Sequence, residues 1–249
     1  MPVKKKTKAP GQGMTAKQMK RRKPISQDYM LPIEPLTDNQ KVMFDAWDEG
    51  KMIYAYGVAG TGKTFVALYK ALKEVLDDYS PYEKIYIVRS LVATREIGFL
   101  PGDHEDKSSL YQIPYKNMVQ AMFEMPDDNS YEMLYDNLKA QETISFWSTS
   151  FIRGTTLDNS IVIIDECQNL NFHELDSIIT RVGQDSKIIF CGDAAQTDLQ
   201  KISERTGIID FQRILQNMEE FSMIEFGIED IVRSGLVKSY LINKINLGL

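Results

Sequence analysis

The run Gly57-Val58-Ala59-Gly60-Thr61-Gly62-Lys63-Thr64 has the spacing G-x-x-x-x-G-K-[ST], which cradles nucleotide phosphates. A triphosphate is wrapped by backbone N–H groups, and Gly57, Gly60 and Gly62 let the chain come close enough. Lys63 can set a point charge between the outer phosphates, and the Thr64 hydroxyl can ligand Mg²⁺. A second set follows the apolar run Ile161-Val162-Ile163-Ile164. There Asp165 suits the Mg²⁺ shell, and Glu166 suits orienting or deprotonating the attacking water. Gln196, in Gly192-Asp193-Ala194-Ala195-Gln196, can contact the γ-phosphate or the water and report nucleotide state. Upstream, Gln40 offers an amide donor and acceptor suited to the adenine edge.

These groups need a scaffold that brings them together. Residues 51–56 are apolar and β-prone, and 65–76 read as a helix, so the glycine run joins a strand to a helix N-terminus, where the dipole favours anions. Further strands are expected at 84–89, 143–147, 161–165, 187–191 and 222–226. Helices are expected after the cap at Thr37 and over 111–125, 131–140, 172–182, 208–218 and 228–245. Residues 91–106 read as irregular. Strands alternating with helices predict a single α/β domain with a mostly parallel sheet and helices on both faces. In that arrangement the phosphate loop and the Asp165–Glu166 pair are expected on adjacent strand ends.

The chain has 249 residues, 43% hydrophobic, and a net charge of −6. That length fits one large domain or two small ones. No apolar stretch is long enough for a membrane span, and no apolar segment follows the N-terminal lysines as a secretory signal requires. The two cysteines, Cys167 and Cys191, form no disulfide framework, which points to a reducing, cytoplasmic setting. The charge is uneven. Residues 1–24 hold nine of the 29 Lys and Arg and no acid, which leaves 20 bases against all 35 acids elsewhere. Residues 1–30 therefore read as a basic, disordered arm and 31–249 as the globular domain. The arm suits salt-dependent contact with nucleic-acid phosphates, or serves as a solubilising tail. Its one acid up to residue 33 is Asp28, too few for a metal-dependent nuclease site. His104 and His173 have no metal-ligand partners at useful spacing. Tyr111, Tyr115, Phe123, Tyr131 and Tyr135 can stack bases, but their helical spacing favours packing.

Several segments together resemble the PhoH family of ATPases over about residues 37–240. They are Tyr86-Ile87-Val88-Arg89-Ser90 leading into Gly98-Phe99-Leu100-Pro101-Gly102-Asp103, Arg153-Gly154-Thr155-Thr156-Leu157, Asp165-Glu166-Cys167-Gln168-Asn169, Gly192 to Leu199, and Asp230-Ile231-Val232-Arg233-Ser234. The resemblance implies a single RecA-like core of the superfamily one helicase type, commonly hexameric, and the size is that of bacteriophage versions. Lys63, Thr64, Asp165 and Glu166 keep the roles given above. Arg233 matches the family's C-terminal arginine and is expected to act as a finger on ATP in a neighbouring subunit, with Arg153 as the second candidate. Arg95 follows the second strand, where helicases of this type touch the nucleic-acid backbone. The family usually has Ala where Cys167 stands, and His-Pro where Ser234-Gly235 stands.

The leading expectation is an Mg²⁺-dependent ATP hydrolase that assembles into a homo-oligomeric ring, a hexamer by family resemblance, and acts on single-stranded nucleic acid, RNA ahead of DNA. Residues 31–249 are too few for two such cores, so another subunit is expected to complete the site. Two other classes stand beside it. A small-molecule phosphotransferase would need an arginine-rich lid, and residues 101–130 contain no Arg. An ATP-binding assembly scaffold would not need Glu166.

Overall fold

The computed structural model describes residues 25–89, 104–152, 154–193 and 202–247, with backbone alone at 104–111, 150–151 and 202–206. All six expected strands form: β1 (Met52–Gly57), β2 (Lys84–Arg89), β3 (Ile144–Trp147), β4 (Ser160–Asp165), β5 (Lys187–Gly192) and β6 (Phe221–Phe226). They make one sheet in the order β3-β2-β4-β5-β1-β6, and every pairing is parallel. Every residue of β4 and β5 is buried, as strands covered on both faces must be.

Eight α-helices lie among the described residues: α1 (Asp38–Asp48), α2 (Lys63–Val75), α3 (His104–Gln120), α4 (Asp128–Ala140), α5 (Thr149–Ile152), α6 (Phe172–Ile179), α7 (Ile202–Gln216) and α8 (Gly235–Asn246). Strand periodicity sorts them into two layers. Ile161 and Ile163 face a core shared with Met43 and Trp47 of α1, Leu68 and Leu72 of α2, Val119 of α3 and Leu138 of α4. Val162 and Ile164 face the opposite core, with Leu175 and Ile178 of α6 and Phe211 and Leu215 of α7. Local signals set the helix starts. The Thr37 side chain accepts from Gln40 N (3.3 Å), and Asn171 and Glu174 form a reciprocal capping box.

The structure differs from the sequence-based outline in four places. Residues 25–30, counted with the arm, are structured in part: Ile25 is buried, Gln27–Tyr29 form a 3₁₀ turn, and Met30 bridges to Phe123. Helix α3 starts at His104 rather than 111 and ends at Gln120, so the expected irregular stretch is helical at its end. The predicted helix over 228–245 is a short 3₁₀ turn, Ile228–Asp230, followed by α8. The two halves of the site are also not on adjacent strands, because β5 lies between β1 and β4. A strand inserted at the centre of the sheet leaves no mark on the local periodicity of its neighbours.

Candidate active site

The Gly57–Thr64 loop leaves the end of β1 and runs straight into α2. Gly57 has φ +114°, and a Cβ there would lie 2.2 Å from the Phe226 carbonyl oxygen, so no side chain fits between β1 and β6. Gly62 caps α2 in the left-handed region with no side-chain bond. The first-turn N–H groups of α2 therefore face the loop uncapped, where the helix dipole favours an anion.

Lys63 is buried and turns back over the loop. Its Nζ donates to Gly57 O (3.0 Å), Val58 O (2.7 Å) and Thr61 Oγ1 (3.2 Å), and lies 5.7 Å from the centre of the Phe226 ring. Burial lowers its pKa from the ordinary 10.5, against the pull of Cys191, Asp193 and Glu166. The ammonium is thus under-compensated by the protein, which favours a bound polyanion.

Gln40 does reach this loop. Its Nε2 donates to Thr61 O (2.8 Å), and its Oε1 accepts from Leu36 N (2.8 Å). The side chain ties α1 to the phosphate loop, so an adenine contact would fall to the amide's second N–H and second lone pair.

Thr64 and Asp165 meet across the intervening strand. Thr64 Oγ1 donates to Asp165 Oδ1 at 2.6 Å. Two oxygens this close, one hydroxyl and one carboxylate, suit a hard divalent ion that keeps most of its waters, so Mg²⁺ fits this pair. Bound there, the ion would neutralise charge on the β- and γ-phosphates.

The other carboxylate oxygen is held by a residue expected only to pack or stack. Tyr115 of α3, buried, donates its hydroxyl to Asp165 Oδ2 at 2.5 Å, while its ring lies 5.4 Å from that of Phe146. Burial and then the Asp165 charge push the phenol well above its ordinary 10.0, so it stays a donor. Arg89, at the end of β2, faces the same group. Burial would lower its pKa, but Tyr115, Asp165 and Glu166 together hold it raised. Tyr115→Phe keeps the ring and removes the hydroxyl, and the lost bond to a charged group is worth about 1.5–3 kcal/mol. The Mg²⁺ concentration for half-maximal ATP hydrolysis is expected to rise about tenfold or more. An unchanged Mg²⁺ midpoint would remove Tyr115 from the metal site.

Glu166 begins the turn after β4 with φ +52°, a conformation that a non-glycine residue holds at a cost of about 1–3 kcal/mol. Gln168 steadies it: Nε2 donates to Glu166 Oε2 (2.6 Å), and Oε1 accepts from Asp193 N (2.9 Å) at the end of β5. One amide thus links the Glu166 carboxylate to Asp193 at the end of β5. Sequence reading gave Gln168 no role, although its place two residues after Glu166 was a usable signal. Cys167 and Cys191 are buried and unbridged, and burial pushes the Cys167 thiol to about 12, so it acts as a small apolar residue. Gln196, Arg95 and Arg153 lie outside the described residues.

Arg233 lies at this site in its own chain. A Cβ on Gly60, where φ is +78°, would meet Arg233 Cγ at 2.9 Å and Leu241 Cδ1 at 3.4 Å. One residue earlier, Val232 N donates to Gly60 O (3.0 Å).

Comparison with known proteins adds the following. The family model described as "PhoH-like protein" matches residues 32–243. Among curated relatives, a PhoH-like protein of Mycobacterium leprae is 32% identical over 206 residues, covering 82% of this chain and 56% of that protein. A PhoH-like protein of Bacillus subtilis is 32% identical over 210 residues, covering 81% and 60%. Protein PhoH of Escherichia coli is 29% identical over 212 residues, covering 84% and 57%. The chain thus spans little more than half the length of these relatives. Among solved structures, the large terminase of a thermophilic bacteriophage is similar at a TM-score of 0.46 and 12% identity, covering 83% of this chain and 50% of that one. The Pif1 helicase of Candida albicans is similar at 0.43 and 15%, covering 87% and 44%.

Proposed function

We propose that this chain, which belongs to the PhoH family, is a Mg²⁺-dependent ATP hydrolase acting on single-stranded nucleic acid, RNA ahead of DNA, as a homo-oligomeric ring in the cytoplasm. The observation that carries the ATPase reading is the 2.6 Å contact between Thr64 and Asp165. It joins the phosphate-loop hydroxyl to the strand-end carboxylate and leaves Lys63 and Glu166 beside the same pair. In this reading Lys63 and the N–H groups from Gly57 to Thr64 bind the phosphates. Thr64 and Asp165 hold Mg²⁺, and Glu166 takes the proton of the attacking water, oriented by Gln168.

Support for the polymer comes from charge. Nine Lys and Arg precede residue 25 in a chain that is otherwise acidic, and such an arm gains affinity for a phosphate backbone by releasing counterions. Support for assembly comes from α8, which buries none of its residues and exposes Leu236, Val237 and Tyr240. The same surface favours the second reading, an ATP-bound scaffold without motor activity.

Hydrolysis measured with and without RNA and single-stranded DNA, at low and high salt, separates these readings. Turnover is expected to rise several-fold with RNA, less with DNA, and the stimulation is expected to fade as salt rises. No stimulation by either polymer would overturn the motor reading and leave the ATPase reading in place.

A further inference from the structure

We infer that Arg233 serves the triphosphate bound in its own chain's phosphate loop, so that the charge-compensating arginine of this site acts in cis. The inference rests on the ATPase reading above and replaces the expectation of a neighbour's arginine.

Arg233 is not on a free tail. The chain leaves β6 directly beside the loop: Val58 N donates to Phe226 O (2.9 Å), and Gly57 registers with Phe226 in the β1–β6 pairing. The turn that follows is pinned by Asp230. This buried carboxylate accepts from Gly227 N and from Asn39 Nδ2 of α1, both at 2.8 Å. Three residues on, Arg233 lays its stem along Gly60, with Nε 3.5 Å from the point where a Cβ would stand. Val232 N–H is bonded to the carbonyl of the same glycine, and Val232 Cγ2 lies 3.7 Å from a Cβ built on Gly62. Gly60 therefore keeps two approaches clear, one for phosphate and one for the arginine stem. Arg233 is exposed, so a bound ligand could reach it from solvent.

Geometry sets cis against trans. Arg233 Nε already stands beside Gly60 of its own chain, within the loop that would hold this chain's own phosphates, which is the placement a cis contact needs. A planar guanidinium at this place offers paired N–H donors to phosphate oxygens and offsets charge that grows at the γ-phosphate as the bond to the leaving oxygen breaks. Leu241 Cδ1 of α8 lies 3.4 Å from the same Cβ position, so α8 and the arginine approach this side of the loop together.

The test is complementation. Arg233→Ala is expected to lower turnover at least about a hundredfold, as loss of a phosphate-directed arginine does elsewhere, with thermal stability unchanged because the side chain is exposed. Arg233→Lys keeps a charge without the fork and is expected to recover part of the rate. Arg233→Ala is then produced in the same cell as Lys63→Ala, so that any assembly is mixed. A mixture at background supports the cis arrangement. Recovery to more than about a tenth of the parent rate would mean that Lys63→Ala subunits lend their arginine across an interface, and would overturn it, as would Arg233→Ala at parental turnover. A parent protein that hydrolyses no ATP overturns the ATPase reading and this inference together, whereas an active parent with a recovering mixture overturns the cis arrangement alone.

Discussion

Glu166→Gln is expected to lower ATP turnover by about 10²–10⁴-fold while ATP binding is kept, the range for removing a positioned general base. The variant is close to isosteric. A glutamine carbonyl can still accept from Gln168 Nε2, now 2.6 Å from the carboxylate, and the left-handed backbone at φ +52° is no worse for Gln than for Glu. Only the ability to take a proton is lost. Phosphate release measured beside nucleotide affinity makes the distinction: affinity should stay within a few-fold of the parent. Phosphate release within twofold of the parent would move the reading to the non-catalytic scaffold.

Lys63→Ala is expected to weaken ATP binding by about a hundredfold, from loss of charge-assisted contacts worth about 3 kcal/mol. The same change is expected to leave the nucleotide-free protein as stable as before or more so. The reason is the sign of the shift at Lys63, whose pKa is lowered chiefly by burial. A folded state that lowers a lysine's pKa binds its proton less well than the unfolded chain does. Below its lowered pKa the charged lysine therefore subtracts from stability, and the penalty fades as pH rises from that value to the ordinary 10.5 of the unfolded chain. Thermal melts with and without Mg²⁺-ATP check both halves: the nucleotide-induced rise in Tm disappears, and the melting point without nucleotide does not fall. A clear drop in that melting point would show that the three bonds to Gly57, Val58 and Thr61 outweigh the buried charge.

What could be read from the sequence follows from what is local. The phosphate loop, Asp165 and Glu166 are short motifs at the ends of apolar runs, and the six strands announce themselves by length and β-branched composition. The bond from Tyr115 to Asp165 was not legible, because it joins positions 50 apart through the packing of α3 on the sheet. The order β4-β5-β1 was not legible either, since strand order is a property of crossovers rather than of any strand. Gln40 is a further case. Its expected partner was the adenine edge, whereas its partners in the structure are the Thr61 carbonyl and the Leu36 amide. An amide side chain reads the same in sequence whether it faces a base or a backbone.

The position of β1 in the sheet also governs when a growing chain can become competent. Both neighbours of β1 come late: β5 begins at Lys187 and β6 at Phe221. A ribosome-bound chain that has emerged only through α6 already contains β2, β3 and β4, which pair with one another, but β1 then has no strand on either side. The nucleotide loop emerges early in synthesis and acquires its walls much later. If the loop binds nucleotide as proposed, capture is expected to be weak until β5 and β6 flank β1, and a truncated product ending before β5 would carry the whole motif with no strand beside it.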